Sequence, residues 1–189
     1  MKKPRMAEGK WAVQHSSKRH DWATPQSLFD WLDAEFLFVL DAAATADNTK
    51  CGAAFISPKD DALSLPVGAW VQKVGVWGGI NLSKFRPSIW LNPPYGRGIS
   101  QWVKRAALEA QAGERGATVV VLTFACTDTQ WWAEAWAHAD EIRFLTGRVH
   151  FKDPTGQVTT AAPKGSALLI FRPVRQEGAP VVSLVTPPR

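Results

Sequence analysis

The sequence predicts an α/β protein built on a doubly wound, mostly parallel sheet with an antiparallel end. Short apolar runs alternate with amphipathic stretches along the chain, a pattern typical of strands alternating with helices in such sheets. With 189 residues and 46% hydrophobic content, the chain is long enough for one ordinary domain with a sizeable core. A second full domain would not fit.

The first predicted elements are a helix and a strand. Thr24 is a plausible N-cap and Pro25 a plausible first helical residue, because proline needs no donor at that position. The apolar face of this helix contains Leu28, Phe29, Trp31 and Leu32. The apolar run 36–40 then predicts a buried strand that ends at Asp41, and 53–56 predicts a short second strand.

The next stretch, 66–87, is rich in Gly, Pro and Lys and is predicted to be irregular. Strand 89–91 follows it. Helical spacing then predicts a helix over 99–112 with Lys104 and Arg105 exposed. The remaining predicted elements are a strand over 117–124, a helix over 129–138, strands over 141–145 and 166–171, and a possible edge strand over 181–185.

Strand 89–91 stops abruptly at Asn92-Pro93-Pro94-Tyr95. Two consecutive prolines fix φ near about −65°, so the tip continues neither as helix nor as ladder. The Asn92 side-chain oxygen and the Pro93 carbonyl then become neighbouring acceptors beside the flat Tyr95 ring. Such a group is suited to gripping an amino group on a planar ring. The alternative is a loop breaker followed by a surface aromatic residue.

Charge is distributed unevenly around that tip, although the net charge is only +5. Residues 1–20 carry six Lys/Arg against one acid and are expected to form a mobile arm. Residues 62–108 hold six bases and no acid, and 143–189 hold seven bases and two acids. Basic stretches flanking the tip favour a nucleic-acid partner. An ordinary soluble surface is the alternative.

The two cysteines, Cys51 and Cys126, lie far apart without metal-type spacing. We therefore predict no metal site and a reducing cytoplasm as the compartment. No apolar stretch is long enough to span a membrane, so no membrane partner is expected. A monomer or a weak homodimer is the expected state.

Asn-Pro-Pro-Tyr at a strand end resembles the catalytic motif of the S-adenosylmethionine-dependent amino-methyltransferases, which methylate exocyclic nitrogens of DNA bases. Together with Trp22-Ala23-Thr24-Pro25 and Leu40-Asp41-Ala42-Ala43, it makes residues 21–171 similar to the phage-type, Dam-like DNA N6-adenine methyltransferases. The resemblance implies a Rossmann-like methyltransferase domain at 21–172, followed by a Pro-rich tail at 173–189. It also implies double-stranded DNA as partner, a phage or prophage gene, and a bacterial host, with restriction-modification among the possible roles.

The resemblance also assigns site residues. Catalysis is implied for Asn92, Pro93, Pro94 and Tyr95. S-adenosylmethionine binding is implied for Trp22, Thr24, Pro25, Asp41, Ala43, Asn48 and Asp61. Asp41 would meet the cationic end of the cofactor, and Asp61 is preferred to Asp60 for its ribose or adenine amine. Contact with DNA or the target base is implied for Arg97, Arg148, Phe151 and Lys152, with Phe151 on the opposite face of the base from Tyr95.

Three other functions stay open at this point. Cytosine N4 methylation would use the same geometry, and methylation of a protein glutamine amide also employs Asn-Pro-Pro-Tyr. The third is a nucleic-acid-binding module without catalysis, because small alanines replace a glycine-rich loop after Asp41.

Overall fold

A computed structural model describes residues 22–52, 54–78, 86–96, 98–152, 161–175 and 177–188, without the side chains of 74–78 and 115. The predicted arm at 1–20 lies outside these ranges. The helices are α1 (Gln26–Phe36), α2 (Ala69–Gly78), α3 (Ile99–Ala110) and α4 (Gln130–His138), with a 3-10 turn at Gly113–Arg115. The strands are β1 (Phe38–Asp41), β2 (Ser88–Leu91), β3 (Thr118–Phe124), β4 (Glu141–Leu145), β5 (Ser166–Phe171) and β6 (Val181–Val185).

The strands form one mixed sheet in the order β1-β2-β3-β5-β4-β6. The pairs β1–β2, β2–β3 and β4–β6 are parallel, whereas β5 is antiparallel to both β3 and β4. The mostly parallel α/β sheet is therefore confirmed. Its antiparallel part was expected at the end and instead lies inside the sheet, because β6 extends the outer edge of β4. β6 comes from 173–189, so this stretch contributes a strand.

Helices cover both faces of the sheet, because successive strand residues point to opposite sides. Ile89 and Leu91 of β2 lie in a core with residues of α2, α3 and α4. Trp90, between them, lies in a second core with Leu28, Phe29 and Leu32 of α1. These buried apolar residues stabilise the fold by roughly 1.5–3 kcal/mol each for full burial.

The start of α1 differs from the expectation. The helix begins at Gln26, and Pro25 is its N-cap with φ −56° and ψ 138°. Thr24 lies one residue before the N-cap and makes no capping hydrogen bond. Its neighbour Ala23 exchanges two backbone hydrogen bonds with Lys152, at 3.0 and 2.9 Å, in an isolated antiparallel bridge. This bridge holds the approach to the helix extended. At the other end, Phe36 closes the helix, so β1 starts two residues later than predicted.

The irregular stretch predicted for 66–87 was wrong for 69–78, which form α2. Trp70 and Val71 are almost completely buried in the core beneath this helix. The Trp70 Nε1–H donates to the Ala62 carbonyl at 3.0 Å, which satisfies the polar end of the ring. Tertiary burial therefore stabilises a helix whose glycine-rich surroundings favour loop.

Arg105 was predicted to be exposed and is buried, which is the largest error in α3. Its guanidinium donates to Glu109, four residues later, which is also buried. It also donates to three carbonyls of the segment before α2, those of Leu63, Leu65 and Pro66. Glu109 in turn accepts the Gly68 N–H at 3.1 Å. Segment 63–68 is thus clamped onto α3.

The short second strand predicted at 53–56 is reduced to one parallel bridge, between Asp41 and Phe55. The Asp41 N–H donates to the Ala54 carbonyl at 3.0 Å, and the Ile56 N–H donates to the Asp41 carbonyl at 2.9 Å. Ala53 lies outside the described residues. The pairing is still long enough to align the loop beyond Ile56 with the end of β1.

Candidate active site

A cavity of about 320 Å³ opens at the carboxyl ends of β1 and β2. Asp41 ends β1 in register with Trp90, so Asn92 emerges beside it just beyond β2. Six of the seven residues expected to bind cofactor line this cavity: Trp22, Thr24, Asp41, Ala43, Asn48 and Asp61. Asn92 and Pro94 also line it. Pro25, Pro93 and Tyr95 are not part of the lining. The crevice beyond parallel strand ends is where such sheets bind ligands.

Asp41 presents a buried carboxylate to this cavity, with only 3% of its surface exposed. One oxygen accepts the Lys50 N–H at 3.1 Å and the other accepts the Ala43 N–H at 3.4 Å. Burial raises the pKa of Asp41 to about 6, although these two hydrogen bonds oppose the shift. A buried carboxylate of this kind is stabilised by a cationic group that enters the cavity.

Asn92 is held in one orientation by two partners. Its Nδ2 donates to the Trp22 carbonyl at 2.6 Å, and its Oδ1 accepts the Tyr95 hydroxyl at 3.0 Å. Because the Trp22 carbonyl accepts only, turning the amide over would place two oxygens against each other and lose that bond. The Asn92 oxygen is therefore presented as an acceptor next to the Tyr95 ring.

Thr24 supplies an unusual polar group to the cavity wall. Only 2% of the residue surface is exposed. Its Oγ1 has no hydrogen-bond partner within the part of the chain that the structure describes. Buried hydroxyls are normally paired. Thr24 is one of the lining residues of the cavity.

Four aromatic rings pack behind Asn92. Tyr95 stacks on Phe124 with centroids 4.3 Å apart and an interplanar angle of 20°. Phe151 meets both rings edge-on, and Trp22 meets Phe151 in the same way. Phe151 is completely buried, and burial raises the pKa of the Tyr95 hydroxyl. Phe151 and Tyr95 touch each other, so no base fits between them in this conformation.

The loop between β4 and β5, residues 146–165, is called the late loop; its described residues are 146–152 and 161–165. It reaches the site through its backbone. Lys152 pairs with Ala23, the neighbour of Trp22 and Thr24. Arg148 donates to the Ala162 carbonyl at 2.9 Å, which joins the two ends of the loop. The pKa of Lys50, a lining residue, is lowered by burial and also by the charge of Lys152. Lys152 thus brings positive charge near the cavity. Arg148 is not among the lining residues, and Arg97 lies outside the described residues.

The two neighbouring acids Asp60 and Asp61 have different surroundings. Asp60 forms an ion pair with Lys73 at 2.7 Å and accepts hydrogen bonds from the backbone N–H and the hydroxyl of Ser57. These contacts lower the pKa of Asp60 to about 2. Asp61 accepts the Ser64 hydroxyl and lines the cavity at φ +48°. Asn48 also lines the cavity, and its Oδ1 accepts the Thr45 N–H at 2.7 Å. Asp61 and Asn48 therefore both line the cavity, whereas Asp60 does not.

A comparison with protein-family models gives a match to the family described as DNA N-6-adenine-methyltransferase (Dam), over residues 12–187. The chain belongs to this family. The match spans nearly the whole sequence, including the cavity, the Asn-Pro-Pro-Tyr tip and the late loop. No curated protein matches the chain. Within the described ranges, no helix of this Dam-family chain is long and apolar enough to cross a membrane.

Several lining residues of the Dam-family chain were missed in the sequence. They include Lys50, Ser57, Pro58, Trp90 and Trp102. Trp102 lies in the first turn of α3, three residues after the buried Ile99, so its spacing indicated core packing rather than a ligand wall. Lys50 comes from a loop, and a lone lysine there carries no pattern. The one signal in the sequence for these missed lining residues was their proximity to Asp41 and to the Asn-Pro-Pro-Tyr tip.

Proposed function

We propose that the chain transfers a methyl group from S-adenosylmethionine to the N6 amine of a flipped adenine in double-stranded DNA. One observation carries the proposal: the Asp41 carboxylate, the unpaired Thr24 hydroxyl and the Asn92 amide converge on one cavity at the carboxyl edge of the sheet. Membership of the DNA N6-adenine methyltransferase family supplies the reaction. We also infer that the sheet is of the Rossmann-like methyltransferase type.

The cavity residues fit the proposed cofactor chemically. Asp41 offers a buried negative charge for an ammonium or sulfonium group, and Thr24 offers a hydroxyl that lacks a partner among the described residues. Trp22 and Trp102 line the cavity as apolar walls, while Asn48 and Asp61 offer acceptors for ribose or adenine groups. S-adenosylmethionine, when bound, supplies an electrophilic methyl group on its sulfonium sulfur. Its positive charge would offset the free-energy cost of burying the Asp41 carboxylate.

Asn92 and Pro93 would activate the adenine amine by accepting its hydrogens. The N6 lone pair is delocalised into the ring, so the amine is a poor nucleophile. Hydrogen bonds to Asn92 Oδ1 and to the Pro93 carbonyl favour a pyramidal nitrogen with a localised lone pair. No strong base is required in this scheme, because the acceptors stabilise the positive charge that develops on nitrogen. The proton leaves late, to water.

Tyr95 would serve two purposes in this reaction. Its hydroxyl holds the Asn92 oxygen in position, and it must yield that oxygen to the incoming amine. Its ring would stack on the flipped base and so offset the cost of unpairing, which is roughly a few kcal/mol. Stacking contributes about 1–3 kcal/mol per base, which is of the same size.

Positive charge from Arg148, Lys152 and the predicted Arg97 contact would bind the DNA backbone near the cavity. Such contacts strengthen binding to any sequence and make it depend on salt. They carry no sequence information, so base specificity would come from other contacts. The basic arm at 1–20 is a further candidate for phosphate contact.

The experiment is expression of the chain in bacteria that lack their own adenine methylation, followed by mass spectrometry of the DNA nucleosides. N6-methyladenine should appear with the wild-type chain and be absent with Asn92→Ala. Sequencing that detects modified bases then gives the recognition site. N4-methylcytosine instead would favour the cytosine alternative, and methylated glutamine peptides would favour the protein alternative. A chain that binds DNA but leaves every base unmodified would contradict an enzymatic role.

A further inference from the structure

We propose that the target adenine inserts between the rings of Tyr95 and Phe124, so that Phe124 supplies the second aromatic face of the base site. This inference rests on the proposed function and deepens it. It changes the role expected for Phe151, which would be an edge wall of the site rather than a stacking partner. Phe124 had no expected role in the sequence.

Ring orientation distinguishes Phe124 from Phe151 as the second ring that could stack on the base. A base can be sandwiched only by rings that lie parallel to it on opposite sides. Tyr95 and Phe124 are already close to parallel, at 20°. Phe151 is inclined at 69° to Tyr95 and at 88° to Phe124, so it presents an edge to both. Its complete burial means that neither of its faces is open to solvent.

The Tyr95–Phe124 stack is also located where the chemistry requires the base. The Tyr95 hydroxyl donates to Asn92 Oδ1 at 3.0 Å, so one edge of the stack adjoins the acceptor proposed for the amine. The same hydroxyl also lies 3.4 Å from the Leu122 carbonyl, in the same strand as Phe124. A base lying on Tyr95 would therefore have its rim beside Asn92. Phe124 occupies that face in this conformation.

Insertion requires the two rings to separate. Two successive stacking contacts at about 3.5–4.0 Å need about 7–8 Å between the outer rings, so the present 4.3 Å spacing must grow by about 3 Å. Phe124 is the ring that would move, because it is half-buried and is the last residue of β3. Tyr95 is more tightly held, since it is buried and hydrogen-bonded.

The test uses a DNA duplex with the recognition site found by sequencing, and a second duplex with 2-aminopurine at the target position. Phe124→Leu keeps apolar volume but removes the aromatic face, whereas Phe124→Tyr keeps the face. Phe144→Leu is the matched control, because Phe144 is also a half-buried ring stacked on an aromatic neighbour, Trp132, but packs with the other core. Phe124→Met replaces the leucine variant if that one melts below the assay temperature.

Phe124→Leu should lower kcat/KM for DNA by about tenfold or more, while cofactor affinity by calorimetry stays within twofold. Phe124→Tyr and Phe144→Leu should stay within threefold of wild type. Bound 2-aminopurine should be brighter with Phe124→Leu, because a quenching ring has been removed.

Three results would overturn the inference. The first is equal rates and equal fluorescence for Phe124→Leu and wild type. The second is a Phe151→Leu variant that shows the rate loss and the brightening while Phe124→Leu shows neither. The third is a wild-type chain that methylates no adenine, which removes the proposed function together with this site; the first two leave that function intact.

Discussion

In the proposed reaction, two residues decide the chemistry at the smallest scale, Asp41 and Asn92. Each is a short polar side chain at the carboxyl end of a buried strand, and each is fixed by backbone partners rather than by other side chains alone. Such fixation presents charge and acceptor in a set direction without reorganisation during the reaction. The two residues serve different ligands, so their substitution should have different consequences.

Asn92→Ala should abolish methyl transfer and leave cofactor affinity within a few-fold, because its oxygen serves the target amine. Asp41→Ala should reverse the order, with cofactor binding lost first. Single-turnover methylation and calorimetry with S-adenosylmethionine measure the two effects separately. Equal loss of both quantities in Asn92→Ala would mean that this residue has a structural role, and unchanged binding in Asp41→Ala would remove Asp41 from the site.

Cofactor affinity should depend on pH through Asp41. Burial raises the pKa of Asp41 to about 6, so its carboxylate is charged above neutrality and becomes protonated as the pH falls through 6. If only the charged form binds the cofactor cation, the dissociation constant should increase about tenfold between the plateau above pH 7 and pH 5. Calorimetry from pH 5 to 8 measures this. Asp41→Asn should bind weakly and without that dependence; the same pH profile in this variant would assign the titration to another group.

At the scale of elements, the clamp between α3 and segment 63–68 shapes one wall of the cavity. Arg105 and Glu109 form a buried ion pair, and Arg105 also lies over the Trp70 ring at 5.4 Å. Burial is the largest influence on Glu109 and raises its pKa, against the opposing effect of Arg105. The pair therefore depends on both partners being present. Segment 63–68 follows Asp61 and Ala62 directly, so its position sets theirs.

Arg105→Ala should lower the free energy of unfolding by about 3–5 kcal/mol, because it leaves Glu109 charged and unpaired in the interior. The double variant Arg105→Met/Glu109→Leu should recover most of that loss, since it removes both charges. Cofactor affinity should stay reduced in both variants, because the carbonyls of segment 63–68 lose their donor. Urea unfolding and calorimetry measure these outcomes. A double variant as unstable as the single one would show that the three carbonyl bonds, not the ion pair, dominate.

At the scale of the whole molecule, one edge of the sheet gathers the functional parts. Strands β1, β2 and β3 end there, and the loop from β4 to β5 leaves and returns there because β5 runs antiparallel. Motifs that are distant in sequence, around Trp22, Asn92 and Lys152, thereby become neighbours. The described part of the chain begins at this edge, with Trp22, which lines the cavity.

Deletion of residues 1–18 should weaken DNA binding and flatten its dependence on salt, because it removes five basic residues and one acid. The fold should persist, since the described core begins with α1. Fluorescence anisotropy with labelled duplex at several salt concentrations, together with the melting temperature, measures both. An identical salt slope in the truncated protein would show that the arm does not contact phosphates.

Local pattern by itself determined most strands and the tip. The strands at 141–145, 166–171 and 181–185 have the predicted bounds, because short segments rich in apolar residues between turn residues leave few alternatives. The end of strand β2 at the Asn-Pro-Pro-Tyr tip was also predicted from the sequence, since two consecutive prolines end a regular element. Six of the seven residues predicted to bind the cofactor also line one cavity, because parallel strands bring their carboxyl ends together.

Only tertiary structure decided the features that depend on distant partners. Arg105 has the spacing of an exposed helix residue and is buried because segment 63–68 offers it three carbonyls. Thr24 has the sequence of an N-cap but is buried, next to Ala23, which pairs with the distant Lys152. Phe124 ends a strand, and no sequence pattern marks it as a site residue. It stacks on Tyr95 because β2 and β3 are neighbours in the sheet. Each of these contacts joins residues that are far apart in sequence, and no local periodicity encodes such a contact.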